Sequence, residues 1–182
     1  MSIVTRKGDD GTTGLMYNRR TSKCHPRVAA YGSVDELNAA LGIARAAART
    51  KVLGDRLLGI QKDLVTLMGE LATLTSDLPR YVKDGFSIVT PDLTAKLDVI
   101  AEDIESQKVS FQGWATPGAN AASAGLDLAR TVCRRAERHA CELHEDKQLQ
   151  NAEIIVFLNR LSDVLWLLAR WAEVHEAPPP VN

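Results

Sequence analysis

The sequence predicts an all-α fold: an antiparallel up-and-down bundle of about five helices behind an ordered polar N-terminal arm. Three observations carry that expectation. Hydrophobic residues fill 45% of the 182 positions but aromatics only 5%, so the core must be built largely from the Ala and Leu that favour helices. Apolar residues recur at alternating spacings of three and four over long stretches, the period of one helical face. Gly and Pro cluster in a few places, among them 8–14, 117–118 and 178–180. The length fits a single domain, 1–182, with an arm over 1–33 and a tail over 176–182.

Residues 1–33 are rich in Gly, Thr, Asp, Lys and Arg and lack hydrophobic periodicity. The first helix is expected from Ser33, which forms a capping box with Glu36 ahead of Val34, Leu37, Leu41 and Ala44. A second helix carries Leu53, Leu57, Ile60, Leu64, Leu67, Leu71 and Leu74 on one stripe. Residues 76–90, with Pro79 and Gly85, have no sustained period and read as a loop. Thr90-Pro91 restarts a third helix through Leu93, Leu97, Ile100 and Ile104. A loop from about 106 to 122 precedes a fourth helix reaching roughly Leu143. A fifth, from about 148 to 175, carries Ile154, Leu158, Leu161, Leu165, Leu168 and Ala172. The triple proline at 178–180 cannot continue it.

Several classes of function are disfavoured. With 22 basic and 23 acidic side chains the chain is no general polyanion binder, and nucleic acid is not expected as a partner. The longest uncharged apolar runs, Ile154 to Leu158 and Val164 to Ala169, are too short for a membrane span, and no secretory signal opens the chain, so the cytoplasm is expected. There is no HExxH, no paired ExxH and no GxSxG, and Cys24, Cys133 and Cys141 lack a nucleophile's context.

What remains is an inventory of anion-binding groups. Thr5-Arg6-Lys7-Gly8-Asp9-Asp10-Gly11-Thr12-Thr13-Gly14 offers glycine-exposed amides, two cations and hydroxyls suited to phosphate oxygens, or else is a flexible polar terminus; it does not have the order of a P-loop. On the fourth helix Arg130, Arg134 and Arg138 lie at i, i+4 and i+8 with Glu137 between them, flanking the small apolar side of Cys133, Ala136 and Ala140. That row reads as a clamp for polyphosphate or carboxylate, or as a solvated face of helical ion pairs. Asn159 and Asp163 share one side of the fifth helix, and Asp35, Glu36 and Asn38 decorate the first.

Jointly these motifs resemble the ATP:cob(I)alamin adenosyltransferases of the propanediol-utilisation type. The blocks that carry the likeness are the Thr5 to Gly14 arm, Lys23 with Arg27, and Tyr31 to Asn38, followed by Ala129 to Arg138 and Phe157 to Asp163. The resemblance implies a trimer of helical bundles in which ATP and cobalamin meet at subunit interfaces. It also implies displacement at the 5′-carbon of ATP by Co(I), with triphosphate leaving under the influence of cationic donors and Mg²⁺. By the same carry-over Thr5, Arg6, Lys7, Gly8, Asp9, Gly11, Lys23, Arg134, Glu137, Arg138 and Asn159 bind ATP. Arg134, Asp35 and Arg130 serve catalysis, with Arg130 pairing Asp35 across an interface. Trp114 or Phe111, together with Asp163, faces the corrin, where an aromatic wedge displaces the lower axial ligand. A reductase and an adenosylcobalamin-dependent acceptor enzyme are the expected partners. The chain departs from the family pattern at Arg6, Ala29, Asp127 and Trp114. The alternative is a non-catalytic carrier or sensor of ATP or corrinoid on the same bundle.

Overall fold

The computed structural model describes residues 4–107, 109 and 115–176. A two-stranded antiparallel hairpin, β1 (Thr12–Gly14) and β2 (Arg20–Ser22), pairs Thr13 with Thr21. Six helices follow: α1 (Pro26–Ala47), α2 (Lys51–Leu71), α3 (Leu78–Lys83), α4 (Pro91–Ser106), α5 (Ala121–Glu145) and α6 (Glu153–His175).

The five long helices alternate in direction along the chain and close into a ring. Gln61 Nε2 donates to Asn38 O, and the buried Arg27 reaches Leu71 O, so α1 and α2 are antiparallel. Lys96 pairs with Asp63 and Arg56 with Asp103, which makes α2 and α4 antiparallel too. Arg135–Glu36 and the contact of Gly125 with Ala44 set α5 against α1; Cys133–Leu158 and Asp127–Arg170 set α6 against α5. Among neighbouring long helices α4 and α6 are the parallel pair, linked by Thr94–Glu153, Asp98–Arg160 and Gln107–Trp171. Five alternating helices cannot close a ring without one parallel pair of neighbours. Leu37, Leu57, Leu97, Leu126, Phe157 and Leu165 belong to the one continuous core this ring encloses.

Several boundaries differ from the sequence expectation. The first helix starts at Pro26, about two turns before Ser33, because His25 Nδ1 accepts from Arg27 N at 3.1 Å and Pro26 occupies the first turn. Ser33 is therefore interior to α1 and forms no capping box; its hydroxyl donates to Ala29 O at 2.8 Å. The polar arm ends at 25 rather than 33. α2 stops at Leu71, so Leu74 lies beyond it, and the expected loop over 76–90 holds the short α3, seeded by Pro79 in its first turn. Thr90 precedes α4 without a side-chain cap. The last helix begins at Glu153, not about 148, because Gln148 and Leu149 instead bond back to Leu143 O and close the α5 terminus. Trp114 and Phe111 lie outside the described residues.

Candidate functional site

One end of the bundle collects the start of α1, the ends of α2 and α5, the start of α6 and the N-terminal arm. Arg27 ties that end together. Its guanidinium is 2% exposed and donates to Leu71 O and Thr73 O, each at 2.9 Å, and to Gln148 O. Burial holds its pKa below the ordinary arginine value, and three carbonyl acceptors supply the compensation a buried cation requires.

The arm folds onto itself. Gly11, at φ 79°, accepts at its carbonyl from Lys23 N at 2.9 Å, and a β-carbon on Gly8 would lie 3.2 Å from Lys23 Nζ. Glycine at position 8 is thus what lets the Lys23 ammonium rest on the backbone of the 5–11 stretch. Asp10 Oδ1 accepts from Thr12 N at 3.0 Å and from Thr12 Oγ1 at 2.7 Å; these bonds hold its carboxyl below the usual range. Arg20 reaches Lys7 O at 2.6 Å and also Thr12 Oγ1. Thr5, Arg6, Lys7, Asp9 and Gly11 are exposed around this turn, with Arg6 in the left-handed region at φ 57°.

Tertiary contacts dock the hairpin on the α2–α3 side. Met16 N donates to Ala72 O at 3.0 Å, Arg19 forks onto Asp77 at 2.8 and 2.9 Å, and Tyr17 donates to Asp84 at 3.0 Å beneath the Arg80 guanidinium. Among the described residues no hydrogen bond or ion pair joins the 5–11 stretch to Arg134, Glu137 or Arg138. Within one chain the arm and the arginine row are thus not bonded to each other among the described residues.

The row itself runs along α5, flanking the face that packs against α6. Arg134 and Arg138 are exposed and make no hydrogen bond or ion pair with other described residues, while Glu137 is half-buried. The Cys133 thiol beneath them donates to Leu158 O at 3.3 Å, and burial pushes its pKa far up. Glu137 and Asp163 push the same way and Arg134 opposes them, which brings these three charges around one thiol and leaves it unfit as a nucleophile. Asn159 is exposed one turn before Asp163 on α6. Asp163 also lines a cleft of about 420 Å³ between α4 and α6, with Asp98, Glu102, Glu105 and Arg160. Arg130 lies half-buried with Nε 3.9 Å from Asp127 Oδ1, and Asp35 is exposed on α1. Among the described residues no group of three or more His, Cys, Asp or Glu is placed to hold a metal ion.

Some residues that shape the site escape sequence reading. Asp10 and Thr12 carry a local signal, the Asx-turn spacing around a glycine. The Arg19–Asp77 fork has none, since 58 residues separate its partners. Ser33 Oγ, which donates to Ala29 O, also shares a hydrogen bond with His139 Nδ1 at 2.7 Å and pins α1 to α5 one residue from Arg138.

Known proteins share both sequence and fold. The family model for cobalamin adenosyltransferases matches residues 3–172. The corrinoid adenosyltransferase PduO of Citrobacter freundii is 38% identical over 97% of this chain and 51% of its own length, and that of Salmonella typhimurium is 38% identical over 97% and 52%. The chain thus spans about half the length of these two relatives. A shorter corrinoid adenosyltransferase of Citrobacter freundii is 37% identical over 98% of this chain and 97% of its own. A phenylalanine-to-alanine variant of the PduO-type ATP:corrinoid adenosyltransferase of Lactobacillus reuteri, complexed with cobalamin and ATP, superposes with a TM-score of 0.84 at 34% identity, covering 94% of this chain and 93% of that one. An arginine-to-lysine variant of the same enzyme with ATP gives 0.82 at 31%, covering 94% of each.

Proposed function

The chain belongs to the cobalamin adenosyltransferase family, and from that membership we propose that it transfers the 5′-deoxyadenosyl group of ATP to the cobalt of reduced cobalamin. The products are adenosylcobalamin and triphosphate. The observation that carries the reading is the pair of exposed guanidinium groups of Arg134 and Arg138, which have no hydrogen-bond or ion-pair partner among the described residues. Cations without protein partners are available to an anionic ligand, and arginine forks onto phosphate oxygens.

In this reading the electron pair of Co(I) attacks the 5′-carbon, a Co–C bond forms, and the C–O bond to the triphosphate breaks. Negative charge grows on the departing oxygen, where Arg134 and Arg138 stabilise it. Lys23 and the amides of the 5–11 stretch hold the phosphate tail, and Asn159 fixes the nucleotide's approach. No side chain acts as nucleophile, in keeping with the buried, raised Cys133. Mg²⁺ would be held chiefly by the triphosphate oxygens, with the half-buried Glu137 beside the arginine row as an available carboxylate, and would supply further charge neutralisation. Asp163 faces the corrin side together with an aromatic wedge at Trp114 or Phe111.

The separation of arm and arginine row within one chain supports a site completed between subunits, as a homotrimer would provide. The outer face of α1 and α5 supports the same assembly. Ile43 is 57% exposed and Leu128 47% exposed there, beside the exposed Ala39 and Ala46, and Asp35, proposed to pair with Arg130 of the partner subunit, is exposed on the same helix. No helix among the described residues is long and apolar enough to cross a membrane. The cytoplasm, where a reductase supplies Co(I) and an adenosylcobalamin-dependent enzyme takes the product, is the proposed setting.

The test is an anaerobic assay with ATP, Mg²⁺ and chemically reduced cobalamin. The intact protein forms adenosylcobalamin, and Arg134→Ala lowers kcat by about 10²- to 10³-fold, as loss of one leaving-group donor does elsewhere. Absence of product from the intact protein overturns the proposal.

A further inference from the structure

Arg130 on α5 borders a buried charge network between α5 and α6. Asp127 and Arg170 are each 4% exposed, and Arg170 Nη2 donates to Asp127 Oδ2 at 2.8 Å and to Glu173 Oε1 at 2.6 Å. The Arg170 guanidinium also lies 5.7 Å from the centre of the Trp166 ring. Glu173 thus balances Arg170, and the second charge balance in the cluster falls between Asp127 and Arg130. One Asp127 oxygen bonds Arg170, while the other sits 3.9 Å from Arg130 Nε, a buried donor with no hydrogen-bond partner among the described residues. A buried donor so close to a carboxylate oxygen closes the gap through a small rotation, since leaving it unpaired costs stability.

We propose that Asp127 is a positioning residue: fixed by Arg170, it takes the Nε–H of Arg130 and thereby sets the direction of that guanidinium's outer nitrogens for its proposed contact with a neighbouring subunit. The inference rests on the adenosyl-transfer reading for its consequence in catalysis. Its geometry does not depend on turnover. The carboxylate stands one turn before Arg130 on the same helix, so the aim survives without help from the partner. Removing the charge at 127 leaves Arg170 neutralised by Glu173 but frees Arg130 to swing.

The test is ¹⁵N NMR of the arginine Nε–H groups in the intact protein. Arg130 Nε–H exchanges with solvent more slowly than that of exposed Arg134, and Asp127→Asn speeds it by about tenfold, the scale of one lost charge-assisted bond. Glu173→Gln, which perturbs Arg170 without touching Arg130, leaves the rate within about twofold, well under the effect of a lost bond. In the anaerobic assay Asp127→Asn lowers kcat while KM for ATP holds, and adds no further loss in an Arg130→Gln background. The proposal is overturned if Arg130 and Arg134 exchange alike in the unaltered protein, a result that needs no variant to fold. It is also overturned if Asp127→Asn and Glu173→Gln act equally. An inactive wild-type protein with a protected Arg130 Nε–H overturns the adenosyl-transfer reading and leaves this one standing.

Discussion

Gly125 on α5 faces the backbone of Ala44 on α1 so closely that a β-carbon there would lie 2.9 Å from Ala44 Cα and 3.0 Å from Ala44 N. The obstacle is backbone, which cannot rotate away, so the missing side chain sets how near the two helices approach. Gly125→Ala forces α1 and α5 apart and destabilises the protein by about 1–3 kcal/mol. For a chain of this length that lowers the melting temperature by roughly 2–12 °C in a thermal denaturation scan.

The Arg19 fork holds the Asp77 carboxyl below its usual range, because hydrogen bonds from the guanidinium favour the ionised form. The contribution to stability is therefore present above the ordinary aspartate value and lost as pH falls through the lowered one. Asp77→Asn removes that acid limb and loosens the hairpin at neutral pH. Limited proteolysis is then faster within residues 10–24, and KM for ATP rises severalfold with kcat little changed, since arm ordering moves into the binding step.

Glu70 responds in the opposite direction. It is 3% exposed, and burial raises its pKa, although Val89 N donates to it at 2.7 Å and Asn151 Nδ2 at 2.9 Å. The folded chain holds this proton more tightly than the unfolded chain does. Stability tied to it is complete below the ordinary carboxylate range and declines as pH rises through the raised value. Glu70→Gln flattens that decline, so the difference in melting temperature between wild type and variant changes across this window; parallel curves would contradict the assignment.

A site shared between subunits is open to complementation. Lys23→Ala disables the arm and Arg134→Ala disables the helix, and each homomer is expected to be nearly inactive. On the proposed intersubunit site, an equal mixture refolded together recovers about a quarter of wild-type sites, because one interface in four joins an intact arm to an intact helix. A mixture as inactive as its components places both halves in the same chain.

Much of this molecule is legible from residue order alone. The three-and-four spacing of Leu53 through Leu71 fixed a helix and its buried face, because a helix repeats every 3.6 residues whatever surrounds it. The same holds for the stripe from Ile154 to Ala172 and for the arginine row, whose common side follows from its four-residue spacing alone. Local chemistry set those features. The start of α1 is not legible in the same way, because Ser33 and Glu36 have a cap's spacing while His25 and Pro26 provide the cap that forms. Only tertiary structure decided that α4 and α6 lie parallel, that Arg19 finds Asp77, and that Asp127 meets Arg170 across 43 residues. A charged side chain has the same letter whether solvated or buried. Its environment depends on contacts that form only when distant segments pack, and no local period encodes those.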